Sequence, residues 1–425
     1  MPTIRPFRAL RYNQKNAGPI PELVAPPYDI IYDEWRNRLY DRNPYNIIRL
    51  IKTREEPGDK DMSDKYKRAN DYIREWTEKG VLELDDRPSV YVRSETYDID
   101  GTRKTRYGFI ALLRVEEFGK RIHPHERTLS GPRVDRLNLV KATRTNLSQI
   151  FSIFKDPDQT VQNMLLAIAQ KQPDIDLEDE QGIQRRMWIV SDSGFIRGIT
   201  DAMSDRDILI ADGHHRYETA LTYRDFMEKE RTQANEPFDY VTMYFSSADA
   251  DGMTILPTHR KVQGLESFDR RAFFIRLEDM FDIEHVGAIG INELLYLISR
   301  NSDKTNIFGF YSRDGFKIAR LRNPSTPKML DVEILHDEII EKRLNITRED
   351  IAAGRYLHFC KSAKHAVEDV AVGNDHLAIF MNALTSEELF RRVLNGDRLP
   401  QKSTYFYPKT LSGLVMYRID RQSIE

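Results

Sequence analysis

Apolar positions along this chain change period many times, and each change marks an element boundary. Alternation over residues 4–12, 89–98, 104–115, 239–246, 253–262, 306–311 and 316–322 predicts strands, as do short apolar runs at 46–51, 187–190 and 208–211. Two pairs of these strands flank Asp100-Gly101 and Asp314-Gly315, each a tight-turn signal for a hairpin. Helical spacing predicts helices over 61–79, 158–171, 213–231, 266–281, 291–300, 331–343 and 386–396, the first stopping at Gly80. Residues 119–136 are polar and read as a loop. Leu414-Val415-Met416-Tyr417 reads as an edge strand. No repeat, heptad run or low-complexity tract interrupts this mixture. The expected fold class is therefore α/β, with mixed α+β sheets rather than a purely parallel one. The polar, acidic stretch from Lys171 to Gln184 is the expected boundary between an N-terminal lobe, 1–182, and a second lobe, 183–425.

Composition narrows the class. With 425 residues, 40% of them apolar, the chain can bury a sizeable core in two or three domains. A net charge of −3 argues against a general nucleic-acid binder, which carries a basic excess. A single cysteine, Cys360, excludes an intramolecular disulfide and a cysteine zinc cluster, and fits a reducing cytoplasm. No apolar h-region follows Met1, and no stretch approaches the ~18 apolar residues of a spanning helix.

The most informative segment is Ile208-Leu209-Ile210-Ala211-Asp212-Gly213-His214-His215-Arg216-Tyr217-Glu218-Thr219-Ala220. It reads as a buried strand, a tight turn and a helix. A helix N-terminus has free backbone N–H groups and the positive end of the dipole, which suits a phosphate. Gly213 removes the Cβ that would block close backbone approach. Arg216 can grip phosphate oxygens in a forked way.

Other constellations are weaker. In Pro26-Pro27-Tyr28-Asp29, Asp29 is either the N-cap of a helix beginning at Ile30 or a carboxylate held ready as general base or metal ligand. His123-Pro124-His125-Glu126-Arg127-Thr128 could join His214 and His215 in a four-histidine metal site, but its spacing matches no known metal signature, and HExxH is absent. Asp135-Arg136 is a surface ion pair or a substrate clamp. Thr258-His259-Arg260 ends a predicted strand and offers an anion site or an edge histidine. Lys402-Ser403-Thr404 and Lys409 could cradle phosphate, although no P-loop, GxSxG or GxGxxG motif occurs.

Asp212-Gly213-His214-His215-Arg216-Tyr217-Glu218-Thr219-Ala220 resembles the hallmark of a large prokaryotic family designated only as a domain of unknown function. Ala25-Pro26-Pro27-Tyr28-Asp29, His125-Glu126-Arg127-Thr128, Leu256-Pro257-Thr258-His259-Arg260 and the 400–409 segment extend that resemblance over nearly the whole chain. Gly213-His214-His215-Arg216 is also similar to the nucleotide-binding box of the ParB/sulfiredoxin superfamily. One branch, the free serine kinases, carries a DGHHR-like segment and phosphorylates L-serine with ATP or ADP.

That resemblance implies a ParB/sulfiredoxin-like core with large added lobes and a kinase acting on free serine or a similar hydroxy-amino acid. Gly213, His214, His215 and Arg216 would hold phosphates, with Lys402, Ser403 and Lys409 closing the anion site. Asp212 would place Mg²⁺ or the substrate hydroxyl. Asp29 would be the base, with Glu22 and Glu126 in reserve, and His125, Thr128, His259 and Arg260 would contact substrate. ATP or ADP with Mg²⁺ is the expected cofactor, in a cytoplasmic protein that binds no membrane and can pair as a homodimer. The sequence departs from the pattern in three ways. Asp29 and Asp212 lie most of a domain apart, no helix-turn-helix follows the box, and His214 stands where sulfiredoxin carries cysteine. A metal-dependent phosphoesterase using His125, Glu126, Asp212 and His214, and a nucleotide-gated ParB-like regulator, are the alternative expectations.

Overall fold

Alternating apolar side chains assemble the sheet that carries the conspicuous segment. In the computed structural model, which describes residues 2–425 apart from 100, 127–129, 288, 301, 303, 304, 325–328 and 401, the chain is mixed α/β. It divides into two compact units. One comprises Met1–Thr254, Phe390–Asp397 and Phe406–Glu425, and the other Ile255–Leu389 and Arg398–Tyr405.

The first unit is built on a nine-stranded mixed sheet. Its strands are β1 (Ile4–Arg5), β2 (Val90–Ile99), β3 (Thr102–Arg114), β4 (Ile122–Pro124), β5 (Ile150–Phe154), β6 (Ile175–Glu178), β7 (Gln184–Val190), β8 (Ile208–Asp212) and β9 (Tyr240–Ser247). They lie in the order β4-β8-β5-β9-β3-β2-β7-β6, with β1 beside the end of β3. Two pairs are parallel, β8 with β4 and β9 with β5; the other pairs are antiparallel. β2 and β3 form the expected hairpin. The turn at 179–182 falls in the stretch expected to divide the chain into lobes, but it joins the paired strands β6 and β7.

Besides two single-turn helices at Gln14–Ala17 and Ile20–Leu23, this unit has helices α1 (Asp33–Arg42), α2 (Ile48–Ile51), α3 (Ser63–Glu78), α4 (Ser130–Thr143), α5 (Thr160–Ala169), α6 (Ser193–Met203) and α7 (His214–Met227). One sheet face, with Val90, Val92, Phe109, Ala111, Met243 and Phe245, packs on Val161 and Leu165 of α5 and Ile199 and Met203 of α6. Tyr217 of α7 is fully buried in the same core, which fixes the first turn of α7 against the sheet. The amphipathic helix α4 packs against both α3 and α7.

The opposite face carries a buried charge cluster. Strand register sets Glu95 of β2 directly across from Arg106 of β3 and Arg185 of β7. Arg93, Glu95 and Arg106 are fully buried and Arg185 nearly so. The Glu95 carboxylate lies 2.9 Å from Arg93, 3.3 Å from Arg106 and 3.8 Å from Arg185, and accepts from the Tyr244 hydroxyl at 2.7 Å. Burial pushes the Glu95 carboxyl upward, but the three guanidiniums outweigh it and hold the group below its ordinary range. Arg106 in turn donates to the carbonyls of Tyr407 and Pro408, and Arg185 to that of Lys409.

The second unit holds a six-stranded antiparallel sheet of β10 (His259–Val262), β11 (Phe281–His285), β12 (Ile307–Ser312), β13 (Gly315–Leu321), β14 (Leu357–Cys360) and β15 (Leu377–Phe380). Their order is β11-β13-β12-β15-β10-β14, and β12 and β13 make the expected Asp314-Gly315 hairpin.

Several expectations are corrected. Residues 48–51 are helix rather than strand: Ile48, Leu50 and Ile51 are all buried, and so short a mostly apolar run does not distinguish the two. The expected loop at 119–136 contains β4 and the start of α4. The helix expected over 266–281 spans only Arg270–Leu277. Among the described residues, no helix is long and apolar enough to cross a membrane.

Replacing Glu95 by Gln leaves the buried Arg93 and Arg106 guanidiniums without their anion, while Arg185 keeps Asp179 at 2.7 Å; breaking such a group costs about 3–5 kcal/mol. Urea unfolding of Glu95→Gln should show that loss. A stability within ~1 kcal/mol of the wild type would mean that the arginines are neutralised by something other than this carboxylate.

Candidate functional site

Strands β4 and β8 run parallel, with Ile208 opposite Ile122 and Ile210 opposite Pro124. The chain therefore leaves both strands at the same sheet edge, which brings the His125-Glu126 and Asp212–Arg216 segments side by side. At the end of β8, Gly213 adopts φ 93°, ψ 30°, the left-handed region that favours glycine. A Cβ there would also stand 2.7 Å from the Arg216 Nε, so glycine lets the guanidinium fold back beneath the turn.

Asp212 organises the cations here. Its carboxylate accepts from Arg216 at 3.1 Å on one oxygen and from the Lys409 ammonium at 3.0 Å on the other. Arg216 also donates to the Gln149 carbonyl. All three side chains are largely buried. Two cations share one carboxylate beside the positive end of the α7 helix dipole.

The histidines are held differently from the arginine. His214 is 8% exposed, and its Nε2 accepts from the His125 backbone N–H at 3.2 Å. Burial, reinforced by His125, pushes His214 down to about 3, so it is neutral at physiological pH and adds no cation to a phosphate site. The fully buried His125 donates from Nδ1 to the Ile210 carbonyl at 2.6 Å, and its Nε2 lies 3.5 Å from the Glu126 carboxylate. His123 pairs instead with Asp207 at 3.0 Å. His215 sits half-buried on α7. Thr128 lies outside the described residues. Among the described residues, no three His, Cys, Asp or Glu side chains gather as a metal site, so the four-histidine and phosphoesterase donor sets are not assembled.

The Pro26-Pro27-Tyr28-Asp29 loop joins this region. Asp29 is exposed in a single 3-10 turn, Tyr28–Ile30, and makes no capping bond there or at α1, whose N-cap is Tyr32; the capping reading does not hold. Burial raises the Tyr28 phenol, which lies within electrostatic reach of Arg136, Arg216, Asp29 and Asp212. The Arg136 guanidinium stacks 4.0 Å over its ring. Tyr28 and Arg136 line two adjoining hollows. One is a narrow slot that reaches Arg216 and Thr219, and the other is a cleft of about 510 Å³ that reaches Lys52, Arg54 and Lys65. Asp135 and Arg136 do form an ion pair, and it lines the cleft. Sequence reasoning passed over Tyr28, Lys52 and Lys65. The one signal for Lys52 was its place directly after an apolar run.

The remaining candidates belong to the second unit. His259 is buried on β10 against the Phe380 ring and pushed down to about 4 by burial, then by Arg260. Arg260 is fully buried, 4.7 Å over Phe359, with one nitrogen 3.4 Å from His336 Nε2 and 3.5 Å from the Lys402 carbonyl. Ser403 donates to the Pro400 carbonyl at 2.5 Å. Lys402 and Ser403 thus fall in one unit and Lys409 in the other.

As the DGHHRYETA segment led us to expect, a family model described as a protein of unknown function (DUF1015) matches residues 4–343. No curated protein matches the chain. Among solved structures, a conserved hypothetical protein from Pyrococcus furiosus is similar at 14% identity and TM-score 0.37, over 72% of this chain and 94% of its own. A free serine kinase variant in complex with ADP is similar at 13% identity and TM-score 0.39, over 76% and 95%. C-terminally truncated SbnI from Staphylococcus aureus is similar at 11% identity and TM-score 0.35, over 72% and 86%. Likeness at these TM-scores transfers neither a core architecture nor an activity.

The neutral His214 has a consequence for acid stability. An unfolded histidine titrates near ~6.5; folded, His214 titrates near about 3. Between those values the unfolded state binds more protons, so stability is complete above pH ~6.5 and drains away as pH falls. His259 and His336 act in the same direction. Thermal melts between pH ~6.5 and ~5, above most carboxylate titration, should fall less steeply for His214→Gln than for the wild type. Identical slopes would mean that His214 is charged in the fold.

Proposed function

This chain belongs to the DUF1015 family, and we propose that it is a nucleotide-dependent phosphotransferase acting on the hydroxyl of a small molecule, with free L-serine or a similar hydroxy-amino acid as the first acceptor to test. The observation that carries this reading is the start of α7. There a left-handed glycine, the N-terminal end of a helix and two cations anchored on one carboxylate converge at a strand end. This is what binding and neutralising a terminal phosphate requires.

On this reading the β8–α7 turn is a ParB/sulfiredoxin-like phosphate box set in a larger sheet. Backbone N–H groups of Gly213, His214 and His215 would hold phosphate oxygens, and Arg216 and Lys409 would turn from Asp212 to the phosphate. Asp212 would then turn to Mg²⁺, an ion that characteristically takes one or two carboxylates together with substrate phosphates. That ion would supply charge neutralisation on the phosphates. Neutral His214 would keep the His125 backbone in place rather than contribute charge. Asp29, on the loop that meets α7 at Tyr28, would accept the proton of the substrate hydroxyl as phosphoryl transfer proceeds in line.

Calorimetry of the full chain with ATP and ADP in the presence of Mg²⁺ tests the reading. Arg216→Ala removes a charge-assisted contact and should weaken nucleotide binding roughly tenfold to a hundredfold with the fold intact by circular dichroism. A wild-type chain that binds neither nucleotide would sink the assignment. Asp29→Asn should bind nucleotide normally while turnover with L-serine falls by about 10²–10⁴. Near-normal turnover would move the base to Glu22 or Glu126.

A further inference from the structure

The cleft of about 510 Å³ in the first unit is lined by five cations, Arg36, Lys52, Arg54, Lys65 and Arg136, against three carboxylates, Asp33, Glu55 and Asp135. Its floor is Leu50, Ile51 and Leu139, and Tyr28 and Tyr66 supply its aromatic surface. The cations come from α1, from the segment after α2, from α3 and from α4, so a single ligand would touch four segments of the fold.

The carboxylates do not balance the cations. Asp135 is fully engaged: it pairs with Arg136, lies 3.2 Å from Lys65 and accepts from the Tyr66 hydroxyl at 2.7 Å. Burial pushes Asp135 up, but Arg136 and these donors hold it at about 2, a permanently charged strut that fixes Lys65 and Arg136 in place. Asp33 lies 3.3 Å from one Arg36 nitrogen, and Glu55 stands 4.0 Å from Lys65; both carboxylates are mostly exposed and weakly held. Arg54 is held by Asn37 and stacks 4.0 Å over Tyr40, both uncharged partners. The Lys52 ammonium donates to the Ile31 carbonyl, and burial lowers its pKa. The Nε of Arg36 is buried without a hydrogen-bond partner. A cation that burial disfavours and that faces a neutral carbonyl gains most from an incoming anion.

We propose that this cleft is a binding site for a small phosphorylated metabolite of about sugar-phosphate size, separate from the phosphate site at the start of α7. Its volume lies within the range of small-molecule pockets and far exceeds a bare phosphate. Its charged lining selects an anion rather than an apolar ligand. Lys52, Arg54 and Arg36 would meet the phosphate, with the remainder of the molecule over Ile51 and Leu139. The proposal is independent of nucleotide binding at α7 and stands if that site binds none.

Calorimetric titration of the full chain with ribose 5-phosphate at low salt, repeated on Lys52→Gln, Arg54→Gln and Arg216→Gln, tests it. We expect binding that weakens with added salt and that falls roughly tenfold or more in Lys52→Gln and Arg54→Gln, but changes less than about twofold in Arg216→Gln. Two cleft variants guard against one that fails to fold. Absence of binding, unchanged affinity in both cleft variants, or a larger loss in Arg216→Gln would each overturn it. Nucleotide titration of the same variants separates the two sites, because loss of ATP binding in Arg216→Gln alone bears only on α7.

Discussion

One buried carboxylate holds the first unit's polar face together. Glu95 sits where strand register brings Arg93, Arg106 and Arg185 around it, and Coulombic attraction at low effective dielectric keeps it ionised although it has no access to water. Two of those arginines also donate to the carbonyls of Tyr407, Pro408 and Lys409. The C-terminal segment is thereby bound across the sheet, and its Lys409 reaches Asp212. A charge cluster far from the start of α7 in sequence thus decides which cation stands beside the α7 turn.

The electrostatics of that turn follow from sharing. Asp212 binds Arg216 and Lys409 at once, which keeps both cations fixed. His214 and His125 are buried, so their role is directional: one accepts a backbone N–H, and the other donates to a strand carbonyl. The two cations are tied to a carboxylate, whereas the histidines are tied to backbone groups. Across Tyr28, the same first unit has a second concentration of cations, in which the firmly held carboxylate, Asp135, already serves two of them.

Much of this was legible in the chain. Strand–turn–helix at 208–227 follows from an apolar run, a glycine that can take positive φ, and helical spacing after it. Both Asp-Gly hairpins formed where the alternation flanked them. Ile48–Ile51 could not be read, because a four-residue run with three buried apolar positions is too short to show a period. The protonation of His214 was equally hidden, since it depends on desolvation by residues distant in sequence.

The sequence by itself determined the local alphabet of this protein: its mixed α/β class, the strand–glycine–helix turn at Asp212-Gly213, and the family to which it belongs. These depend on spacing within a few residues. Only the tertiary structure decided which charges meet. Tyr28 with Arg136, Asp212 with Lys409, and Glu95 with three arginines are pairs set by strand register and helix packing across tens to hundreds of residues. Charge interactions depend on distance and burial, and neither quantity is encoded at any single position.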